Sequence, residues 1–481
     1  VSGIGYWSRT APDATAVATT GGALTFGKLN GRARALAGAF KVARLHRGDR
    51  VAVYAANRIE VIEVCTAALR AGLVPVPVNS LLTEREVEFV LEDSGARWLF
   101  SDRAVESPVP ERIITFGDAY ERTLHEADPV PLADVTLGRA MHYTSGTTGE
   151  PKAVWVRPVS EARAQELSRL YRDLWGLTSE DVHLVCSPLA HSAPLRFVIR
   201  TLEAGGTAIL QTRFDAAESL AAMELFGVTS VFMVPTHLER IIDMGSGALA
   251  RHDLSSVRLL AHAGSPIRPE TKRAVIDLFP RDSVWEFYGA TEGQATRISA
   301  REWLQRPGSV GTALPGGSVT VKSENRRALP PGTVGDVWIE EPTHERFEYW
   351  GQPARTAGAW DGDSFNVGDL GYLDADGYLY LSGRKHDTII TGGVNVFPRE
   401  VEELLATHPA VAEVAVYGAR HEEWGEEIRA LVVPAAGQPL DPELLRVWAR
   451  ERLAGFKCPR RIDVVSEIPR TATGKVQRPD P

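Results

Sequence analysis

The sequence predicts an α/β protein: a large N-terminal domain of layered α/β sheets with a small β-barrel-like subdomain, then a small α+β C-terminal domain. Three observations carry this expectation. The 481 residues exceed the length at which one hydrophobic core stops growing. Short β-rich runs alternate with helical patterns up to about Phe287, as helices layered on a largely parallel sheet require. After about Thr296 brief apolar runs are punctuated by Gly, Pro and Asp, which is a hairpin pattern.

The elements follow in order. Arg50–Tyr54 reads as a strand and Ile59–Arg70 as an amphipathic helix that Gly72 stops. Val74-Pro75-Val76-Pro77-Val78 is a second extended run. Thr83 suits the N-cap of a helix ending near Ser94–Gly95, ahead of a strand at Trp98–Phe100. Further strands are expected at His183–Cys186, Ala208–Gln211, Ser230–Val234 and Arg258–Ala261. The antiparallel part uses Ser318–Val321, Asp336–Glu340 and Tyr378–Leu381. The C-terminal stretch carries helices at Pro398–Thr407 and Asp441–Leu453, with strands at Val411–Tyr417, Glu427–Val433 and Arg461–Val465. A domain boundary is expected near Gly383–Asp387.

Composition excludes several partners. A net charge of −9 and a pI near 5.8 argue against nucleic acid and anionic membrane. No run approaches eighteen apolar residues, and Val1-Ser2-Gly3-Ile4-Gly5 lacks an export pattern, so no membrane insertion and a cytoplasmic location are expected. Cys65, Cys186 and Cys458 are far apart and outside any CxxC spacing, as reduced thiols would be. Of the 53 basic residues only eight are lysines, so a lysine inside a Gly/Thr-rich loop needs a reason. Lys152 and Lys475 are such residues.

The strongest signal is Tyr143-Thr144-Ser145-Gly146-Thr147-Thr148-Gly149-Glu150-Pro151-Lys152. The glycines let backbone N–H groups approach an anion closely, the hydroxyls add donors, and Lys152 adds a point charge. Together they suit a polyphosphate. The loop is not a Walker A loop, because Glu150-Pro151 separate Gly149 from Lys152. Pro151 also keeps Glu150 out of a helix.

This segment resembles the phosphate loop of the adenylate-forming superfamily, which includes acyl-CoA synthetases, peptide-synthetase adenylation domains and luciferases. Eight fixed positions recur by chance on the order of once in 10¹⁰ windows. The resemblance extends along nearly the whole chain. It implies ATP, Mg²⁺ and CoA as co-substrates, with Ser145, Gly146, Thr147, Thr148, Gly149 and Lys152 on the phosphates. Phe287-Tyr288-Gly289-Ala290-Thr291-Glu292 is, taken alone, a strand end plus a turn. The resemblance puts Tyr288, Gly289 and Ala290 beside adenine, Thr291 on a phosphate, and Glu292 with Thr144 on the metal. Gly264 and Ser265 would flank adenine and the acyl group. His191, in Pro188-Leu189-Ala190-His191-Ser192, would border the acid, with Ala190 replacing a usual bulky residue.

Asp369 resembles the aspartate that accepts both ribose hydroxyls. Here Val367 stands where threonine is usual, and Ser364 and Asn366 stand where Trp and Arg are frequent. The resemblance implies domains 1–383 and 388–481, the second mobile about a hinge at 384–387: Arg384 would contact the nucleotide, His386 would occupy the hinge, and Gly392-Gly393 would pass the pantetheine arm of CoA. Lys475, in Pro469-Arg470-Thr471-Ala472-Thr473-Gly474-Lys475, resembles the lysine that enters the site only for adenylation.

The implied catalytic set is Lys475, Glu292, Thr144 and His191, forming an acyl-adenylate and passing the acyl group to CoA. A carrier-protein thiol is the alternative acceptor. The acid pocket is expected from Pro188–Phe197, Val231–Pro235, Ala261–Pro266 and Tyr288–Gly293. The departures suggest a specialised acid of natural-product type, whether aryl, medium-chain or polycyclic.

Overall fold

A computed structural model of the chain describes residues 2–144, 151–343, 345–391, 394–421, 424–470 and 476–479. These form two compact units, Val1–Ser318 with Glu340–Asp363, and Val319–Ile339 with Ser364–Pro481.

The first unit holds the predicted parallel sheets. Neighbouring strands run Thr15–Thr19, Thr207–Leu210, Val182–Val185, Ser230–Met233, Leu259–His262 and Val284–Gly289, every pair parallel. Gln294–Ser299 and Ser309–Ala313 then add in antiparallel order. A second sheet places Val74–Val78, Arg50–Tyr54, Trp98–Ser101 and Arg112–Thr115 in parallel. Its proline-bearing strand Val74–Val78 lies at the sheet edge, where a missing N–H breaks no ladder on the open side.

Local signals explain the boundaries. Thr83 and Glu86 close a reciprocal capping box on helix Glu84–Ser94. Gly72 and Gly95 end their helices in the left-handed conformation, at φ 80° and 58°. The core between helices and sheets includes an aromatic cluster in which Phe40 meets Trp98 at 5.4 Å and Phe100 meets Tyr120 at 5.9 Å.

In the second unit, most of Gly335–Glu340 pairs antiparallel with Ser364–Phe365 and Asp369–Leu373, and the latter pairs with Leu379–Arg384. A separate sheet joins Ile389–Thr391, Val394–Val396, Val411–His421, Gly425–Pro434 and Arg461–Val464, backed by helices Pro398–Leu405 and Pro442–Arg450. The paired strands Val411–His421 and Gly425–Pro434 run longer than their apolar cores suggest. Their ends pair as a half-exposed ribbon, which hydrophobic alternation does not mark. Among the described residues no helix is long and apolar enough to cross a membrane.

Candidate active site

Topology gathers motifs that are far apart in sequence. Strands Val182–Val185, Ser230–Met233, Leu259–His262 and Val284–Gly289 are parallel neighbours, so their carboxyl ends share one edge. His191, Gly264-Ser265 and the Tyr288–Glu292 segment all follow those ends. In open α/β sheets this edge is where ligands bind. Gly264 has φ 102°, a left-handed conformation that explains its glycine. At Gly289 a Cβ would sit 2.7 Å from Gly293 O, so the turn holding Thr291 and Glu292 closes only around a glycine. The Ala290 N–H donates to Gly293 O at 2.8 Å and locks that turn.

The two ends of the glycine-threonine loop are paired strand residues. Thr144 lies opposite Lys152 in the antiparallel pair His142–Thr144 and Lys152–Val156. Strand Phe347–Tyr349 adds to the other side of Lys152–Val156 and delivers Tyr349. Three groups then converge. Lys152 Nζ donates to Glu292 Oε1 at 2.9 Å and to Tyr349 Oη at 3.0 Å, and Tyr349 Oη–H donates to Glu292 Oε1 at 2.8 Å. Glu292 is 3% exposed. Burial alone would push its carboxyl up, but the Lys152 ammonium and the Tyr349 hydroxyl outweigh that and hold it below the ordinary range.

The buried Thr144 hydroxyl has no hydrogen-bond partner among the described residues. A buried carboxylate with an unsatisfied hydroxyl is an oxygen donor set, and such donors fit a magnesium ion that keeps most of its ligands on phosphate and water. Arg139 holds the turn from behind, donating from Nη2 to Thr291 O at 2.6 Å.

Within the second unit, Asp369 and Arg384 face each other across an antiparallel pair, with Arg384 Nε 3.2 Å from Asp369 Oδ1. The unusual Asn366 has a backbone task. Its amide donates to Val337 O at 2.6 Å and its carbonyl accepts from Gly368 N at 2.8 Å, fixing the approach to Asp369. The hinge position lies in a short 3₁₀ turn, Lys385–Asp387. Ser145, Gly146, Thr147, Thr148, Gly149, Gly392, Gly393, Lys475 and the His386 side chain lie outside the described residues.

Helix Ser192–Ala204 is packed differently on its two faces. Phe197, Phe232 and Phe287 pack together with Trp175, at centroid separations of 5.7 Å for Phe197–Phe232, 5.9 Å for Phe232–Phe287 and 5.5 Å for Trp175–Phe287. They close the space between helix Ser192–Ala204 and the strands. A cavity of about 280 Å³ opens on the other face of that helix, toward helix Glu161–Trp175. Of the four expected segments only Pro188–Phe197 reaches it, through Ser192, Leu195 and Arg196. His142 also lines it. That ring is buried, its Nδ1 donates to Ala190 O at 2.9 Å, and desolvation pushes its pKa down to about 3.

Arg139, Tyr349, His142 and Arg196 were absent from the sequence-derived set. Arg139 and Tyr349 belong to no motif. Arg196 was findable, because Ser192, Leu195, Arg196, Ile199 and Arg200 form one helical stripe that places two arginines on a largely apolar face.

With this geometry in place, the site has the form of a nucleotide-handling centre on an α/β edge. The chain belongs to the AMP-binding enzyme family, whose model matches residues 6–346, while the AMP-binding enzyme C-terminal domain matches residues 400–475. It is 34% identical to the fatty acid–[acyl-carrier-protein] ligase ScoC of Streptomyces coeruleorubidus, over 97% of this chain and 92% of that protein. It is also 34% identical to a feruloyl-CoA synthase of an Amycolatopsis species, over 98% and 97%. The o-succinylbenzoate CoA synthetase of Bacillus subtilis, solved with its acyl-adenylate intermediate, aligns with a TM-score of 0.87 at 26% identity, over 98% of this chain and 96% of that one. The same enzyme is known with ATP and magnesium ion.

Proposed function

We propose that the protein is an AMP-forming acyl-CoA ligase: it joins a carboxylic acid to AMP, releases pyrophosphate, and transfers the acyl group to CoA. The observation that carries this reading is the buried Lys152–Glu292–Tyr349 group at the root of the glycine-threonine loop. A carboxylate resists attack because its charge repels nucleophiles and oxide leaves poorly. In the first half-reaction an acid oxygen bonds the α-phosphorus of ATP while the bond to pyrophosphate breaks. In the second, a thiol sulfur bonds the acyl carbon while the bond to AMP breaks.

The chain's residues have separate tasks. Lys152 neutralises the departing phosphates and Arg139 fixes the turn that carries Thr291. Thr144 and Glu292 would hold Mg²⁺, which when bound supplies charge neutralisation on the phosphate oxygens. Asp369 accepts the ribose hydroxyls, with Arg384 orienting its carboxylate. Lys475 serves adenylation and withdraws for thioester formation, by movement of 388–481 about the hinge 384–387.

We place the reaction in the cytoplasm, where the three free, buried cysteines would stay reduced. The second reading is transfer to a carrier-protein thiol, favoured by the carrier-protein ligase among the relatives. Acid-dependent ATP–pyrophosphate exchange tests the core claim, and no exchange with any acid refutes it. Supplying CoA or an acyl carrier protein to the charged enzyme then separates the acceptors.

A further inference from the structure

The turn Lys385–Asp387 is held by charged side chains on both sides of its middle residue. On one side Arg384 lies 3.2 Å from Asp369, and Lys385 Nζ donates to Asp336 Oδ2 at 3.1 Å. Both carboxylates stand on the antiparallel strands Asp369–Leu373 and Gly335–Glu340. On the other side Asp387 Oδ2 accepts from Arg478 Nη1 at 3.2 Å. Between the two clamps stands position 386, where the sequence marks the hinge.

Arg478 holds more than Asp387. Its Nη2 donates to Glu402 Oε1 at 2.8 Å and its Nε donates to Val416 O at 2.9 Å. The same Glu402 oxygen accepts the Val416 N–H at 2.8 Å. One guanidinium therefore ties together the hinge turn, helix Pro398–Leu405 and strand Val411–His421. All three charged side chains are half-buried, which shields these charge-assisted bonds from water. Around Arg478 the segment is fixed twice more. The Gln477 N–H donates to Pro469 O at 2.8 Å, and Val476 bridges to Arg470 while its side chain joins the apolar cluster of Ala415, Tyr417, Leu431 and Ile468. Val476 directly follows Lys475 in the chain.

Covering a strand edge accounts for part of this arrangement. Among the described residues Val411–His421 is an outer strand of its sheet, and Arg478 with Glu402 satisfies both backbone groups of Val416. Edge cover has no need of Asp387, however, and that contact is the one that joins the segment to the hinge. Resting on the ligase reading above, we propose that Arg478 is a positioning residue for adenylation. It fastens the segment that follows Lys475 to the C-terminal side of the hinge, so that rotation about position 386 and delivery of the lysine are one movement. A lysine on an unfastened segment must be ordered anew at each turnover, and the half-reaction that uses it carries that cost. Thioester formation, which proceeds with the lysine withdrawn, does not.

The test measures pyrophosphate release, thioester formation from supplied acyl-adenylate, and amide hydrogen exchange in the full chain. Arg478→Met should lower kcat for adenylation about 30-fold, with the KM for ATP and the thioester step each within about twofold of the wild type. Exchange at Val476–Arg478 should quicken at least about tenfold. Asp387→Ala removes the hinge contact and leaves both strand-edge contacts of Arg478, and it should slow adenylation alone by about threefold. Adding Arg478→Met to Lys475→Ala should cost no further activity, because the lysine it positions is already gone. If Arg478→Met does not fold, Arg478→Lys keeps the charge without the fork and should show a selective adenylation loss of about threefold. Equal loss in the two half-reactions, unchanged adenylation in Asp387→Ala, or a further loss in the double variant as large as in Arg478→Met alone would each overturn the proposal. Absence of pyrophosphate release by the wild type with every acid would instead remove the ligase reading, while the exchange result would still report whether Arg478 fastens the segment.

Discussion

Replacing Lys152 by Met isolates the buried charge group. Glu292 is 3% exposed, and Lys152 is its one cationic contact among the described residues, at 2.9 Å. Breaking a buried pair by removing one partner costs about 3–5 kcal/mol, because a desolvated charge remains. The Tyr349 hydroxyl still donates to the carboxylate and offsets about 1 kcal/mol, leaving a loss of about 2–4 kcal/mol at neutral pH.

The pH dependence has a definite sign. In the wild type the Glu292 pKa is lowered, so its contribution is present above the unfolded carboxylate value and lost as pH falls through the folded one. Without Lys152 the desolvation that already opposes ionisation dominates and the folded pKa rises. The variant then loses stability as pH increases. Its deficit should be largest at pH 7.5 and shrink toward pH 5. Urea unfolding at several pH values measures this, and the further change Glu292→Gln should recover at least half of the neutral-pH loss. In the adenylation assay the same variant should lose about 10–100-fold in kcat/KM for ATP, the worth of one or two charge-assisted hydrogen bonds. Acid preference should not move. A stability loss under about 1 kcal/mol, or one indifferent to pH, would show that Glu292 is not held by Lys152, and a changed acid profile would contradict the phosphate role.

Three further expectations follow from other groups. Lys475→Ala should nearly abolish adenylation yet largely spare thioester formation from supplied acyl-adenylate; equal loss in the two separately measured half-reactions would remove the domain-alternation proposal. Asp369→Asn should raise the KM for ATP about tenfold without changing that for the acid, as steady-state kinetics would reveal. His262 is fully buried with neither ring nitrogen hydrogen-bonded among the described residues, and desolvation, aided by Lys272, lowers its pKa well below the usual value. Its neutral form is favoured in the fold, so stability is lost as pH falls below about 6.5. His262→Leu should therefore be neutral or stabilising by about 1 kcal/mol and should lower the acid slope of unfolding free energy by about 1.4 kcal/mol per pH unit; a destabilised variant with an unchanged slope would reject this.

Much of the fold was legible because its signals are local. Thr83 with Glu86, Gly72, Gly95 and the all-apolar strand runs act within a few residues of where they stand. The candidate site was legible where chemistry needs neighbours in sequence, as in Tyr143–Lys152 and Tyr288–Glu292. The support behind it was not. Arg139 reaches a backbone carbonyl 152 positions away, and a carbonyl carries no residue identity to betray the contact. Tyr349 arrives through strand pairing that no local pattern specifies.

Helix Ser192–Ala204 shows why side-chain placement was harder to read than motif chemistry. Arg196 and Phe197 are adjacent, but consecutive helix positions differ by about 100°. Phe197 turns into the aromatic packing with Phe232 and Phe287, and Arg196 turns into the cavity. Naming a segment therefore does not fix which of its side chains lines a given space. Ser192, Leu195, Arg196, Ile199 and Arg200, at i, i+3, i+4, i+7 and i+8, form the stripe that lines the cavity. A cation placed on such a stripe costs stability unless something pairs with it. Arg200 has Glu203 for that purpose, and half-buried Arg196 has Glu341 and Glu345 as its acidic neighbours. Two arginines one helical turn apart therefore sit in different electrostatic settings, one on a single close carboxylate and one facing two carboxylates at longer range.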